Sequence, residues 1–78
     1  MANWVLYHTE GCHLCEQAQS LITVLLVDDS LQLVDIMSDE VLIAEYQTSI
    51  PVLKSEQGSQ LCWPFASQDV RQFFTQIE

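Results

Sequence analysis

Cys12 and Cys15 stand three residues apart, with His13 and Leu14 between them, at the head of a segment whose apolar residues recur at helical spacing. Such a pair can carry thiol–disulfide chemistry. If a helix begins near Cys12, its third neighbour returns to the same face, and both sulfurs meet within one turn. The first-turn N–H groups have no intrahelical acceptor, and together with the helix dipole they favour a thiolate at Cys12. Cys15 lies deeper, beside Leu14 and Ala18, where a resolving thiol can stay protonated until needed. His13 could bring a positive charge next to Cys12, while Glu10 and Glu16 oppose the thiolate by like charge.

Other readings compete for these residues. Cysteine is a small hydrophobe and often fills a core. Cys12, Cys15 and Cys62 with either His8 or His13 would make a zinc-type ligand set. Zinc clusters usually join two paired half-sites, however, and only one pair is present. A cluster shared between two subunits through Cys12 is a further arrangement. Either histidine can equally be a solvated or strand-end residue, and Cys62 reads as a buried strand residue.

The elements that must hold the pair can be read from the hydrophobic pattern. Residues 4–7 form a strand of aromatic and branched side chains, and 8–11 a loop. Leu14, Ala18, Leu21, Ile22, Leu25 and Leu26 mark one helix face, with Glu16, Gln17, Gln19 and Ser20 on the other. Val24 and Val27 widen the stripe, so the later turns are expected to be mostly buried before Asp28-Asp29-Ser30 ends the helix. Residues 31–36 predict a second strand. Ser38 is expected to cap a short helix, with Asp39 and Glu40 at its positive end and Val41, Leu42, Ala44 and Tyr46 as its apolar members. A third strand at 51–54, a turn at 55–59 with Gly58, and a return strand at 60–63 closed by Pro64 follow. Trp63 and Phe65 are expected in the core. Ser67 is expected to cap a last helix, whose Val70, Phe73, Phe74 and Ile77 share one apolar face. The order is β-α-β-α-β-β-α: an α/β domain with a four-stranded mixed sheet and three helices, its first two strands parallel and its last two an antiparallel hairpin.

Composition limits what the site can serve. The chain has 78 residues, 49% of them hydrophobic, with no repeat or linker, so residues 1–78 are expected to form a single domain. Eleven acidic residues face one lysine, Lys54, and one arginine, Arg71, for a net charge of −9. Nucleic acid and anionic membrane surfaces are therefore excluded as expected partners. The apolar run at 21–27 is far too short for a membrane span, and no basic leader precedes the first strand. Three cysteines make a poor secreted disulfide scaffold and point to a cytoplasmic setting.

Four segments carry a family resemblance: Tyr7-His8-Thr9-Glu10-Gly11-Cys12-His13-Leu14-Cys15, Val34-Asp35-Ile36, Ser49-Ile50-Pro51-Val52-Leu53, and Leu61-Cys62-Trp63-Pro64-Phe65. From about Trp4 to Phe74 the chain resembles the small glutaredoxin-like proteins of unassigned function found mainly in bacteria. The resemblance implies a thioredoxin fold with a cis Ile50–Pro51 bond, in which Pro51 faces the cysteine pair and helps bind the substrate's extended backbone. True glutaredoxins are a more distant likeness. Their lysine before the first cysteine is absent, since Thr9 and Glu10 stand there. His13 and Leu14 replace the proline and aromatic residue common between the cysteines. Cys62-Trp63-Pro64 occupies the place of their glycine pair and acidic cap for the glutathione amino group.

The function expected from this reading is a thiol–disulfide oxidoreductase. Cys12 attacks, Cys15 resolves the mixed disulfide, and Ile50, Pro51 and His13 position the substrate. The substrate is expected to be a protein or small-molecule disulfide, with glutathione disfavoured and an unidentified reduced thiol as donor. No cofactor or metal is expected, and the protein is expected to be a monomer. The alternative is a non-catalytic thioredoxin-fold binding or regulatory module.

Overall fold

Alternation along the first strand explains the two-sided core. In the computed structural model, which describes residues 3–26 and 30–76, β1 (Asn3–His8) sends Trp4 and Leu6 to one face and Val5 and Tyr7 to the other. A strand apolar on both faces suits the interior of a sheet. β1 pairs in parallel with β2 (Ser30–Asp35), Asn3 opposite Ser30 and His8 opposite Asp35. Its other edge runs antiparallel to β3 (Val52–Lys54), with Leu6 opposite Leu53 and Tyr7 opposite Val52. β3 in turn pairs antiparallel with β4 (Gln60–Cys62), giving the strand order β2-β1-β3-β4. The three helices are α1 (His13–Leu25), α2 (Glu40–Tyr46) and α3 (Ser67–Gln76). The order β-α-β-α-β-β-α is the one expected, with a 3-10 turn at Ile36–Ser38 added before α2.

Each sheet face has its own cluster. Trp4, Leu6 and Leu53 pack with Ala18 and Ile22 of α1 and with Phe65, Val70 and Phe73 on the α3 side. Trp4 lies 5.7 Å from the Phe73 ring and 4.5 Å from that of Phe74, tilted against both. On the opposite face Val52, Ile36 and Tyr46 are buried, with Tyr7, Leu42 and Ile50 against them. Tyr7 and Tyr46 stack there at 4.4 Å between centroids, only 15° from parallel. The hairpin turn closes through Ser55: its N–H donates to the Ser59 carbonyl, its hydroxyl accepts from the Ser59 N–H, and Gly58 supplies a φ of 97°.

Several expectations are corrected. Val24 is 81% exposed. It lies two residues from Ile22, which places it about 200° round α1 from the buried stripe, where no layer covers it. Of the apolar members of α2, Tyr46 is buried and Leu42 packs against the same cluster, while Val41 and Ala44 are exposed. Ser38 does not cap α2. Its hydroxyl donates to the Asp35 carbonyl inside the 3-10 turn, and Asp39, in extended conformation, accepts from the Val41 N–H at 2.8 Å. Ser67 is the first residue of α3 rather than its cap. Ala66 holds the cap position, and its N–H donates to the Asp69 carboxylate at 2.8 Å, so the side chain that satisfies this end lies one turn into the helix. Pro51 directly precedes β3, and Ile36 is buried in the 3-10 turn rather than in β2. Val27, Asp28, Asp29 and Ile77, assigned above to the end of α1 and the face of α3, lie outside the described residues. No helix among the described residues is long and apolar enough to cross a membrane.

Candidate redox site

Gly11 makes the turn that delivers Cys12 to its helix. Its φ of 77° lies in the left-handed region, where a side chain would be strained. Cys12 then takes the N-cap position, with extended φ and ψ of −95° and 103°. Its carbonyl accepts from the Glu16 N–H at 3.1 Å, and its Sγ accepts from the Cys15 N–H, also at 3.1 Å. A sulfur thus occupies the place usually held by a serine or aspartate oxygen, aimed at backbone N–H groups that have no helical acceptor.

The two cysteines are joined as a disulfide with their Cα atoms 5.2 Å apart. They are unequal in exposure. Cys12 is half-buried, whereas Cys15 is only 3% exposed on the face that also buries Ala18 and Ile22. A partner can therefore reach Cys12, while Cys15 can be reached only from within. His13 and Leu14 between them point outward, Leu14 with 46% of its surface in solvent. Leu14 was expected on the buried stripe, but the stripe begins at Cys15.

The sheet brings Pro51 to the same end. Because Tyr7 pairs with Val52, Pro51 sits beside the C-terminal end of β1, from which the loop leads to Cys12. The Ile50–Pro51 bond is cis, as the family resemblance implied. The Ile50 N–H donates to the Tyr46 carbonyl and the Pro51 carbonyl accepts from the Trp63 N–H, both at 3.1 Å, so this segment is held from two sides. Pro51 is buried and Ile50 half-buried. The Trp63–Pro64 bond is cis as well, which sequence reasoning missed. Trp63 meets Phe65 edge-on at 5.0 Å and packs against the core, as expected of both.

Cys62 is a free, exposed thiol, contrary to the buried position expected. It pairs with Val52 on the edge strand, which puts it on the α2 face of the sheet, away from α1. The Tyr46 oxygen at the end of α2 accepts from Gln60 of the same strand, but Cys62 at the strand's other end stays exposed. The ligand set weighed for zinc is not assembled: among the described residues no three His, Cys, Asp or Glu side chains gather where they could hold a metal. A measurable consequence follows. The native oxidised protein is expected to release one equivalent of thionitrobenzoate from Ellman's reagent, and none after Cys62→Ser. Peptide mapping should find Cys12 linked to Cys15, and a dominant link to Cys62 would contradict the geometry.

On the same face, burial first and then the Tyr7 phenol and the Glu45 carboxylate raise the pKa of Tyr46 above its usual 10.0, although its oxygen accepts from Gln60 Nε2 at 2.6 Å. The folded phenol keeps its proton where the unfolded one loses it, so this contribution is fully present below about 10.0 and is lost as pH rises from there through the raised folded value.

Residues 3–75 match the model of the Glutaredoxin-like domain (DUF836). The X-ray structure of target protein XcR50 from X. campestris superposes with a TM-score of 0.82 at 30% identity, covering 94% of this chain and 96% of that one. Its solution structure gives 0.78 at 32% identity, covering 97% and 95%. The solution structure of protein Ne2328 from Nitrosomonas europaea gives 0.73 at 30% identity, covering 94% and 89%. All three are structural genomics targets named without an activity. No curated protein matches the chain.

Proposed function

The chain belongs to the glutaredoxin-like domain family, with its thioredoxin-like fold, and from that premise we propose that it is a thiol–disulfide oxidoreductase acting on protein disulfides. The observation that carries this reading is the placement of the pair. Cys12 caps α1 with its sulfur toward a backbone N–H and is open to a partner, while Cys15 waits one turn deeper, buried.

The reaction starts from the dithiol. The Cys12 thiolate attacks one sulfur of the substrate disulfide, and the departing sulfur takes up a proton. The thiolate of Cys15 then attacks Cys12 Sγ, expelling the second substrate sulfur as a thiol. Two electrons pass to the substrate, and the Cys12–Cys15 bond seen in the structure remains. A reduced thiol donor restores the dithiol. In this reading half-buried Ile50 meets the substrate backbone, buried Pro51 fixes its direction from beneath, and His13, exposed beside Cys12, meets the partner directly.

A redox titration of the pair, followed by turnover with a protein disulfide and a reduced thiol donor, tests this. A pair that titrates without turnover would make the domain a binding or regulatory module instead.

Glutathione is expected to be a poor substrate. Its carboxylates need cations, and the chain has one lysine and one arginine, neither in the segment that carries Cys12. Lys54 pairs with Val5 in the middle of β1 and its ammonium is engaged over the Tyr7 ring at 5.9 Å, and Arg71 is a residue of α3. A charge-assisted hydrogen bond is worth about 1.5–3 kcal/mol. Losing even one should leave reduction of a glutathione mixed disulfide at least about 10-fold slower than with a typical dithiol glutaredoxin. Equal turnover at matched enzyme concentrations would refute this.

A further inference from the structure

We infer that the disulfide taken by this site is carried on a cationic polypeptide segment, which lays an apolar side chain on Leu14 and Met37 and its lysines or arginines among Glu10, Glu16, Asp35, Asp39 and Glu40. The inference rests on the oxidoreductase reading above and specifies its substrate.

The parallel register places these residues together. His8 pairs with Asp35, so the C-terminal ends of β1 and β2 coincide. From the first, the loop through Glu10 leads to Cys12 and into α1 with Leu14 and Glu16. From the second, the 3-10 turn carries Met37 directly into Asp39 and Glu40 at the start of α2. Met37 is 63% exposed, and Glu10, Glu16, Asp39 and Glu40 are all exposed. Within the rim, Asp35 and Asp39 each use one oxygen on a backbone N–H, that of Met37 and that of Val41, whereas among the described residues no side-chain hydrogen bond engages Glu10, Glu16 or Glu40; Glu56, which accepts from the Asn3 N–H, lies at the opposite end of β1. The cysteine end therefore combines an open sulfur, two exposed apolar side chains and a rim of negative charge with no lysine or arginine in its segments.

An anionic or neutral segment would desolvate those carboxylates without compensation. A cationic one is attracted over about 10 Å at 0.1 M salt and held at contact. Because the field acts on encounter, its signature is a rate that depends on substrate charge and on ionic strength.

The test uses the reduced full chain and two cyclic disulfide peptides of one sequence, each with a leucine beside the cysteine. One is flanked by lysines, and the other has glutamates in their place. The lysine peptide is expected to be reduced about 10-fold faster or more at low salt, with the ratio collapsing as salt rises to about 0.5 M. The double variant Glu10→Gln, Glu16→Gln should shrink the ratio, and Glu56→Gln, at the far end, should not. Using the ratio cancels any change in thiol reactivity that the substitutions cause. Replacing the leucine by serine in the lysine peptide should slow it. Equal rates for the two peptides, a ratio indifferent to Glu10 and Glu16, or no effect of the leucine would each overturn the inference and leave the oxidoreductase reading standing. No reduction of either peptide above the donor's own rate would bring down both.

Discussion

Cys15→Ser is expected to keep a reactive Cys12 that accumulates partners as stable mixed disulfides, and Cys12→Ser to trap none. Both variants are best made in a Cys62→Ser background, since that thiol is exposed and would add its own signal. The cause is the unequal placement of two identical side chains. Cys12 caps α1, and its sulfur accepts a backbone N–H whose dipole is fixed by the fold. Cys15 is nearly sealed, on the face of α1 that also buries Ala18 and Ile22, where burial disfavours a charged sulfur and blocks reagents. Glu10 and Glu16 act against Cys12, but both are exposed, and water and salt weaken them where the backbone is not weakened. Iodoacetamide rates against pH for the two single-thiol proteins should therefore show Cys12 alkylated first and from a lower pH. Faster alkylation of the Cys15-only protein near neutrality would reverse the assignment of attacker and resolver.

Leu53→Ala is expected to cost about 2–5 kcal/mol. Leu53 has no exposed surface, sits on an interior strand, and faces Leu6 on one side and Leu61 on the other beneath α1 and α3. Neighbours pinned in two strands and two helices have little room to close the cavity. A chain of this size has a total stability of about 4–12 kcal/mol. The variant should therefore lose a large share of it, with Tm falling by about 10–30 °C. Val24→Ala, on the exposed side of α1, should stay within about 0.5 kcal/mol and serves as control. Urea unfolding of the oxidised proteins compares them. A loss below about 1 kcal/mol for Leu53→Ala would mean that the layer above β3 is far looser than described.

What could be read in the sequence was whatever rests on period and type. Ala18 and Ile22, and Val70 and Phe73, announce their helices because one face of each is apolar, and Trp4 to Tyr7 announce a strand because both faces are. The Cys12–Cys15 spacing announces a shared helical turn. The cis bond before Pro51 was legible only through the family resemblance. Errors arose where the answer depends on what lies across from a residue. Val24 is as apolar as Ile22, and only the absence of a covering layer exposes it. Cys62 follows the alternation of a buried strand, but β4 is the edge of the sheet and its last residue is left exposed. Caps failed for a local reason: Ser38-Asp39 offers two competent oxygens in a row, and the intervening 3-10 turn decides between them.

The central place of β1 has a consequence for synthesis. During translation the two cysteines and the β1–β2 pair emerge first, yet the other edge of β1 waits for β3, dozens of residues later. A nascent chain that ends before Val52 presents an unpaired strand edge with Leu6 and Tyr7 half-covered, the kind of surface that recruits another chain. The sheet closes only when β3 arrives and β4 shields it, so the pair of sulfurs is made early and its scaffold late. A chain stopped upstream of β3 is therefore expected to aggregate rather than to form a smaller working domain.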